Sequence, residues 1–433
     1  MTQSGHHGRV SEDWFDVVIA GAGPAGGQCA RDLAARGYDV VVLETESESE
    51  FPRQSNKSTA GTFHEMLSAF QVPEGVIQNY TDNVVLESPN SHFTQERSGA
   101  VLDFAAFKRW LVMAARNEGA EIRFDSRVST PVMDDGKIIG VEYAGGERVY
   151  GDVIVDATGP SAPLAKALDV GDLQRETQAI GIDYELEGID LNYPGYADLT
   201  DAMMLRLDHR IAPGGYSWIF HTGGDTAKVG LCYIQNERHR EQAEEGMRID
   251  DYLERWLDED PRFEHARRPD DGEVLRGSAH IQMPTEMHTD NFVAIGDTIP
   301  TIDPLWGEGI HKGMRSGRMA AAAVDSCLAG AVRDTSADEL AVYERLWHDQ
   351  VAPDMRTRLL LTELLYLASN ERYDTLMEDF SELPPETLRK ANQGNIRAVS
   401  TVLHLSDLPL VASWVKNRLH GASQRWPPTK SSD

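Results

Sequence analysis

The chain has 433 residues, 41% apolar and 26% charged, the proportions of a packed soluble protein of two or three domains rather than of a disordered or membrane-embedded one. Its 70 acidic residues against 41 basic ones leave a formal charge of −29, which would repel a phosphate backbone and excludes nucleic acid as an expected partner. A strongly acidic surface whose basic residues are mostly arginine is what a salt-rich cytosol favours, because salt screens the self-repulsion, so a halophilic source is expected.

In chain order, the stretch around His6 and His7 has no signal-peptide pattern and reads as a mobile tail, not as a metal site. FDVVIA and DVVVLE are apolar runs on either side of a helix of period 3.6, a βαβ unit over residues 15–44. Between its first strand and its helix stands Gly21-Ala22-Gly23-Pro24-Ala25-Gly26. That spacing serves the tight turn, the close approach of a pyrophosphate and the packing of helix on strand, while the helix N-terminus supplies amides to the anion. Glu44 closes the second strand at about the ~20-residue distance where a carboxylate accepts bonds from an adenosine ribose. Dinucleotide binding is therefore expected at Gly21, Gly23, Ala25, Gly26 and Glu44.

The polar stretch Thr45 to Thr62 reads as a loop, and Asp103 to Glu118 as a helix followed by short strands joined at DDG and AGG turns. From about Leu173 to Met283 long alternating runs such as AIGIDYELEGI, YSWIFHT and TAKVGLCYIQ predict an antiparallel sheet. NFVAIGD then returns as a strand, and an Ala-rich helix follows from Gly309 to Leu328. The expected organisation is a nucleotide-binding domain in two parts, 14–172 and 284–332, an antiparallel β substrate domain over 173–283 and a helical C-terminal region over 333–433. Two segments in that last region, RTRLLLTELLYLA and VLHLSDLPLVASWVKNRL, are amphipathic and expected to pack over the substrate domain, with transient docking to a membrane. The three cysteines, Cys29, Cys232 and Cys327, lie far apart without CxxC spacing, so no disulfide or metal site is expected and the compartment reads as cytoplasmic. No apolar stretch reaches the ~20 residues of a membrane span, which leaves peripheral contact at the inner membrane surface.

Two later segments favour FAD over NAD. Asp156-Ala157-Thr158-Gly159 resembles the ATG segment of FAD enzymes with two dinucleotide folds, and Gly296-Asp297 resembles their GD motif, Asp297 being placed for ribityl or ribose hydroxyls. Gly307, Gly309 and Ile310 in PLWGEGI open a helix whose amides would meet the flavin pyrimidine edge. The sequence as a whole resembles the geranylgeranyl reductase family, which includes archaeal reductases of digeranylgeranylglycerophospholipids, over residues 14–330. Its most specific marker, a PxxYxWxFP-like segment, is matched by Pro213 to Phe220 and broken at His221. The resemblance implies an α/β, glutathione-reductase type FAD fold, similar to p-hydroxybenzoate hydroxylase, and flavin-dependent reduction of isolated C=C bonds in a polyisoprenoid lipid. It also implies that Tyr216, Trp218 and Phe220 line the lipid cavity, which alternation on one strand face supports.

The family's loop after the βαβ unit is matched in part by Lys57-Ser58-Thr59-Ala60-Gly61, expected beside the flavin, but the Cys of many members is missing and an Arg common in related flavoproteins is replaced by Phe104. Val128 takes the place of the family's backbone contact to adenine, and Gly159 that of its ATG glycine. Reduction of an isolated alkene develops positive charge that an aromatic, dry cavity stabilises, and Tyr216, His221 or an ordered water is the candidate proton donor, with Trp218 beside them. No second GxGxxG follows a strand, so electrons are expected from transiently docked NAD(P)H or ferredoxin. Two other readings stay open: a flavin-dependent monooxygenase or halogenase of the same fold, and a prenyl-lipid carrier without flavin chemistry.

Overall fold

The computed structural model describes residues 13–53, 58–269, 272–330 and 332–392, and a few positions between 395 and 412. Lys57, His6, His7 and most of the second amphipathic segment, 402–419, lie outside them. The chain opens on β1 (Trp14–Ala20), crosses through the helix Pro24–Ala34 and returns as β2 (Val40–Leu43), parallel to β1 from Val17 opposite Val40 to Ala20 opposite Leu43. Strands covered on both faces need no polar side, and Val17, Val18, Ile19 and all of β2 are buried. Each such side chain contributes roughly 1.5–3 kcal/mol by leaving water.

β3 (Gly61–Phe63), β4 (Ile77–Glu87) and β5 (His92–Leu102) come next, then the helix Phe104–Asn117, capped at its start by the Asp103 carboxylate, which accepts from Ala106 N. β6 (Glu121–Arg123), β7 (Val128–Asp134), β8 (Lys137–Tyr143) and β9 (Glu147–Asp156) follow. β10 (Gln178–Leu186), β11 (Ala202–Arg206), β12 (Gly215–Gly223), β13 (Thr226–Ile234) and β14 (Val274–His280) precede the short return strands β15 (His288–Thr289) and β16 (Phe292–Ala294). The helix Ile310–Leu328 packs beside Pro24–Ala34, and helices including Ala337–Leu346, Met355–Tyr366 and Asn370–Glu382 close the described chain.

The strands make two sheets. The first runs β15-β16-β9-β1-β2-β6, with the β7–β8 ribbon attached through β9, and is parallel from β16 to β6. The second runs β14-β10-β13-β12-β11-β4-β5-β3. It is antiparallel apart from β11 against β4. Residues 61–102, grouped by sequence with the first lobe, thus pair in the second sheet. Their alternation of buried and exposed residues suits a sheet with one wet face, and nothing local in the chain says which sheet they join.

Candidate active site

The end of β1 and the start of the next helix are made of residues too small to fill the space in front of them. Gly26 passes so near the turn that a Cβ there would stand 2.0 Å from the Gly21 carbonyl oxygen, so helix and turn touch through backbone alone. Pro24 sits in the first turn, where a missing N–H costs nothing. Glu44, at the end of β2, is 6% exposed, and its carboxylate accepts from Ala22 N at 3.0 Å and Glu46 N at 3.1 Å. It is a buried, preoriented acceptor beside the glycine turn, not a surface carboxylate. Lys108 comes in from the helix Phe104–Asn117, buried, with its ammonium 4.7 Å from the centre of the Phe51 ring. Burial pulls its pKa down, against the opposing pull of the Glu44 and Glu46 charges.

These residues line one end of a cavity of about 1220 Å³. Gly21, Gly23, Ala25, Glu44, Ser58, Thr59, Val128, Gly159, Asp297, Gly307, Gly309 and Ile310 all lie on its wall, so residues from distant parts of the chain converge on one space. Gly26 packs behind the turn. Asp156, which ends β9, is spent inside the protein: its carboxylate accepts from Thr158, Leu164 and Ala165. Gly159 N donates to Thr298 Oγ1 at 3.1 Å, which ties the segment after β9 to the one after β16. Asp297 is walled in by the cavity, and burial pushes its carboxyl up to about 6. Ser58 Oγ accepts from Ala60 N.

The other end of the cavity is apolar. β12 presents Tyr216, Trp218 and Phe220 to it, β11 adds Met203 and Leu205, and β4 and β5 add Val84, Leu86 and Phe93. Arg97 of β5 also lines it, its guanidinium 3.3 Å from the centre of the Phe63 ring. Tyr216 Oη donates to the Trp306 carbonyl at 3.2 Å, and burial raises this phenol well above its ordinary range, so its proton is held in a structural bond. Gly307, at φ +65°, makes that bond possible, since a Cβ there would stand 2.1 Å from Tyr216 Oη.

His221 is not part of the cavity wall. It is one residue out of step with Tyr216, Trp218 and Phe220 and therefore lies on the opposite face of β12. There its Nε2 faces the Gly224 carbonyl and its Nδ1 the Asn79 amide, each at 3.1 Å, so both ring nitrogens are spent on the fold. Trp218 has a partner that the sequence did not point to. Its Nε1 donates to Asp183 Oδ2 at 2.9 Å, and Thr59 Oγ1 donates to the same oxygen at 2.6 Å. Asp183 is buried, and burial pushes it up to about 6. Lys228 Nζ donates beside it to the carbonyls of Thr59, at 3.2 Å, and Leu102, at 3.0 Å.

The family model described as FAD dependent oxidoreductase matches residues 16–293. A digeranylgeranylglycerophospholipid reductase of Haloferax volcanii is 64% identical over 405 residues, 94% of this chain and 98% of that protein. A digeranylgeranylglycerophospholipid reductase of Methanopyrus kandleri is 28% identical over 84% of this chain and 90% of its own length. Among solved structures, a geranylgeranyl bacteriochlorophyll reductase-like protein of Thermoplasma acidophilum superposes with TM-score 0.79 at 20% identity, covering 94% of this chain and 99% of that one. A flavin-dependent brominase superposes with TM-score 0.70 at 19% identity, over 93% of this chain and 100% of its own. At such identities the last two establish a shared fold and no more. The glycine cradle, the buried Glu44 acceptor and Asp297 fit an extended dinucleotide such as FAD.

Proposed function

The chain belongs to the FAD dependent oxidoreductase family and, within it, to the digeranylgeranylglycerophospholipid reductases, and from that membership we propose that it reduces isolated C=C bonds in the geranylgeranyl chains of archaeal-type membrane lipid precursors. The observation that carries the reading is that one cavity is lined both by the glycine turn, Gly21 to Ala25, with Glu44 and by an apolar wall of Tyr216, Trp218, Phe220, Leu86, Phe93 and Met203. A dinucleotide and an isoprenoid chain would meet inside it.

FAD, when bound and reduced, supplies the hydride. Gly21, Gly23, Ala25 and Gly26 would admit its pyrophosphate, Glu44 would accept from a ribose, and Asp297 from further hydroxyls. The amides at the start of the helix Ile310–Leu328 would favour negative charge beside Gly307 and Gly309. The rest of the work falls to side chains. The apolar wall replaces water around the polyprenyl chain, so a carbon centre that gains positive character as it is protonated meets no nucleophile. The ring faces of Tyr216 and Trp218, with centroids 5.8 Å apart, offer it quadrupolar attraction. On the cavity wall Arg97, stacked on Phe63, offers a cation to the anionic end of an amphiphile, which suits a phospholipid better than a hydrocarbon.

The electrons come from outside the chain, from NAD(P)H or a ferredoxin docked for a moment. The lipid is taken from the inner face of the membrane by peripheral contact, and among the described residues no helix is long and apolar enough to cross one. The test is anaerobic: reduce the holoenzyme with dithionite, add a digeranylgeranyl glycerophospholipid, follow flavin reoxidation and weigh the lipid. Stepwise gain of hydrogen pairs is expected. Flavin that stays reduced until oxygen enters would sink the proposal.

A further inference from the structure

Reduction of an alkene needs a proton as well as a hydride, but His221 faces away from the cavity and the Tyr216 hydroxyl is bound to a carbonyl. The cavity wall has another protic route. Thr59 and Trp218 both line the cavity, and both donate to Oδ2 of Asp183, a carboxyl set behind the wall. An indole N–H only donates and cannot pass a proton on, whereas a hydroxyl both donates and accepts. Of the two contacts, Thr59 alone can therefore conduct. Asp183 Oδ1 is buried and meets no hydrogen-bond partner among the described residues, which leaves the anion poorly compensated and favours the protonated carboxyl.

We propose that Thr59 and Asp183 form the proton relay of this site, Thr59 touching the substrate and Asp183 acting through it. The inference rests on the reductase reading given above. When Asp183 carries its proton on Oδ2, the 2.6 Å bond reverses: the carboxyl donates to Thr59 Oγ1, and the hydroxyl hydrogen turns into the cavity. In the reaction the Thr59 O–H bond breaks as a C–H bond forms at the less substituted alkene carbon. The Asp183 proton moves to Thr59 Oγ, and the hydride from the reduced cofactor closes the other carbon. The alkene gains two electrons, the cofactor loses them, and after the product leaves a proton from solvent entering the cavity passes back through the Thr59 hydroxyl to the Asp183 carboxylate.

The neighbours of Asp183 suit this cycle. Lys228 on β13 contributes positive charge while holding the Thr59 carbonyl, Trp218 on β12 and Thr59 contribute hydrogen bonds, Glu185 on β10 itself contributes a like charge, and the partner on β14 is the apolar Leu275. Burial outweighs the stabilising contacts, and the carboxyl is pushed up to about 6, so it gains and loses a proton near neutrality.

The experiment uses the holoenzyme with Asp183→Asn, which keeps a carbonyl to accept from Thr59 and Trp218 but carries no acidic proton, together with Thr59→Val and Thr59→Ser. Without lipid, the near-UV circular dichroism assigned to Trp218 by a Trp218→Phe control is expected to titrate between about pH 5 and 7 and to be flat in Asp183→Asn. With lipid, single-turnover flavin reoxidation is expected to fall about a hundredfold or more in Asp183→Asn and Thr59→Val and to stay within about threefold in Thr59→Ser, lipid binding being unchanged. A wild-type rate in Asp183→Asn, or a Trp218 signal that does not titrate in the wild type, overturns the relay alone. A wild-type enzyme that never reoxidises with lipid overturns the reductase reading and takes the relay with it.

Discussion

Alanine in place of Gly307 tests how the aromatic wall is held. Gly307 has φ +65°, where a side chain costs about 1–2 kcal/mol, and its Cβ would lie 2.1 Å from Tyr216 Oη but 3.4 Å from Tyr216 Cζ. The clash is thus with one oxygen, and relieving it means moving the phenol off the Trp306 carbonyl, which gives up about 1 kcal/mol of hydrogen bond and about as much again in misplaced packing. Gly307→Ala is expected to destabilise by about 3–4 kcal/mol. Tyr216→Phe removes only the offending oxygen and is expected to cost about 1 kcal/mol. In the double variant the collision is gone and the backbone penalty and the lost bond remain, so it should be about 2 kcal/mol less destabilised than the two single changes added together. Urea unfolding in molar potassium chloride, followed by tryptophan fluorescence, measures all four corners of the cycle. Additivity within about 0.5 kcal/mol would refute the contact as described.

Three other outcomes are expected. Glu44→Gln retains one acceptor for two backbone donors, and FAD is expected to bind about 10- to 100-fold more weakly, measured by flavin released on dilution; unchanged retention would remove Glu44 from the cofactor site. His221→Gln is expected to leave turnover within about twofold while lowering the unfolding midpoint through its lost bonds to Asn79 and Gly224, and a tenfold loss of turnover would bring this ring back into the chemistry. Asp183 has a folded pKa of about 6 against an ordinary 3.8, so its contribution to stability is fully present below about pH 4 and is lost as pH rises to 6 and beyond. Relative to Asp183→Asn, the wild type should therefore lose about 2 kcal/mol of stability between pH 4 and 7, read from urea midpoints, and parallel curves for the two proteins would contradict a raised carboxyl.

What could be read in the chain follows the range of the interactions involved. The glycine turn, Glu44 and the alternation of Tyr216, Trp218 and Phe220 are local patterns, and those residues share one cavity. The place of His221 is equally legible: the parity that puts Trp218 on the wall puts His221 behind it. Lys108 left a signal too, a lysine on the same helical face as Phe104, Phe107 and Leu111. Asp183 left none. Its role depends on Thr59, 124 positions away, and on Lys228 from the neighbouring strand, and AIGIDYEL by itself reads as any half-buried strand. The place of 61–102 in the second sheet is non-local in the same way, because β4 finds its partner in β11, which lies more than a hundred residues further on.

That interleaving affects how the protein comes into being. The first sheet draws strands from 14–156 and from 288–294, the second from 61–102 and from 178–280, and the cavity wall runs from Gly21 to Tyr366. A ribosome must therefore deliver more than three hundred residues before Tyr216 meets Trp306 and Tyr366 and the cavity wall is complete. Such non-local closure is slow, and the waiting chain exposes edges and apolar faces that invite association.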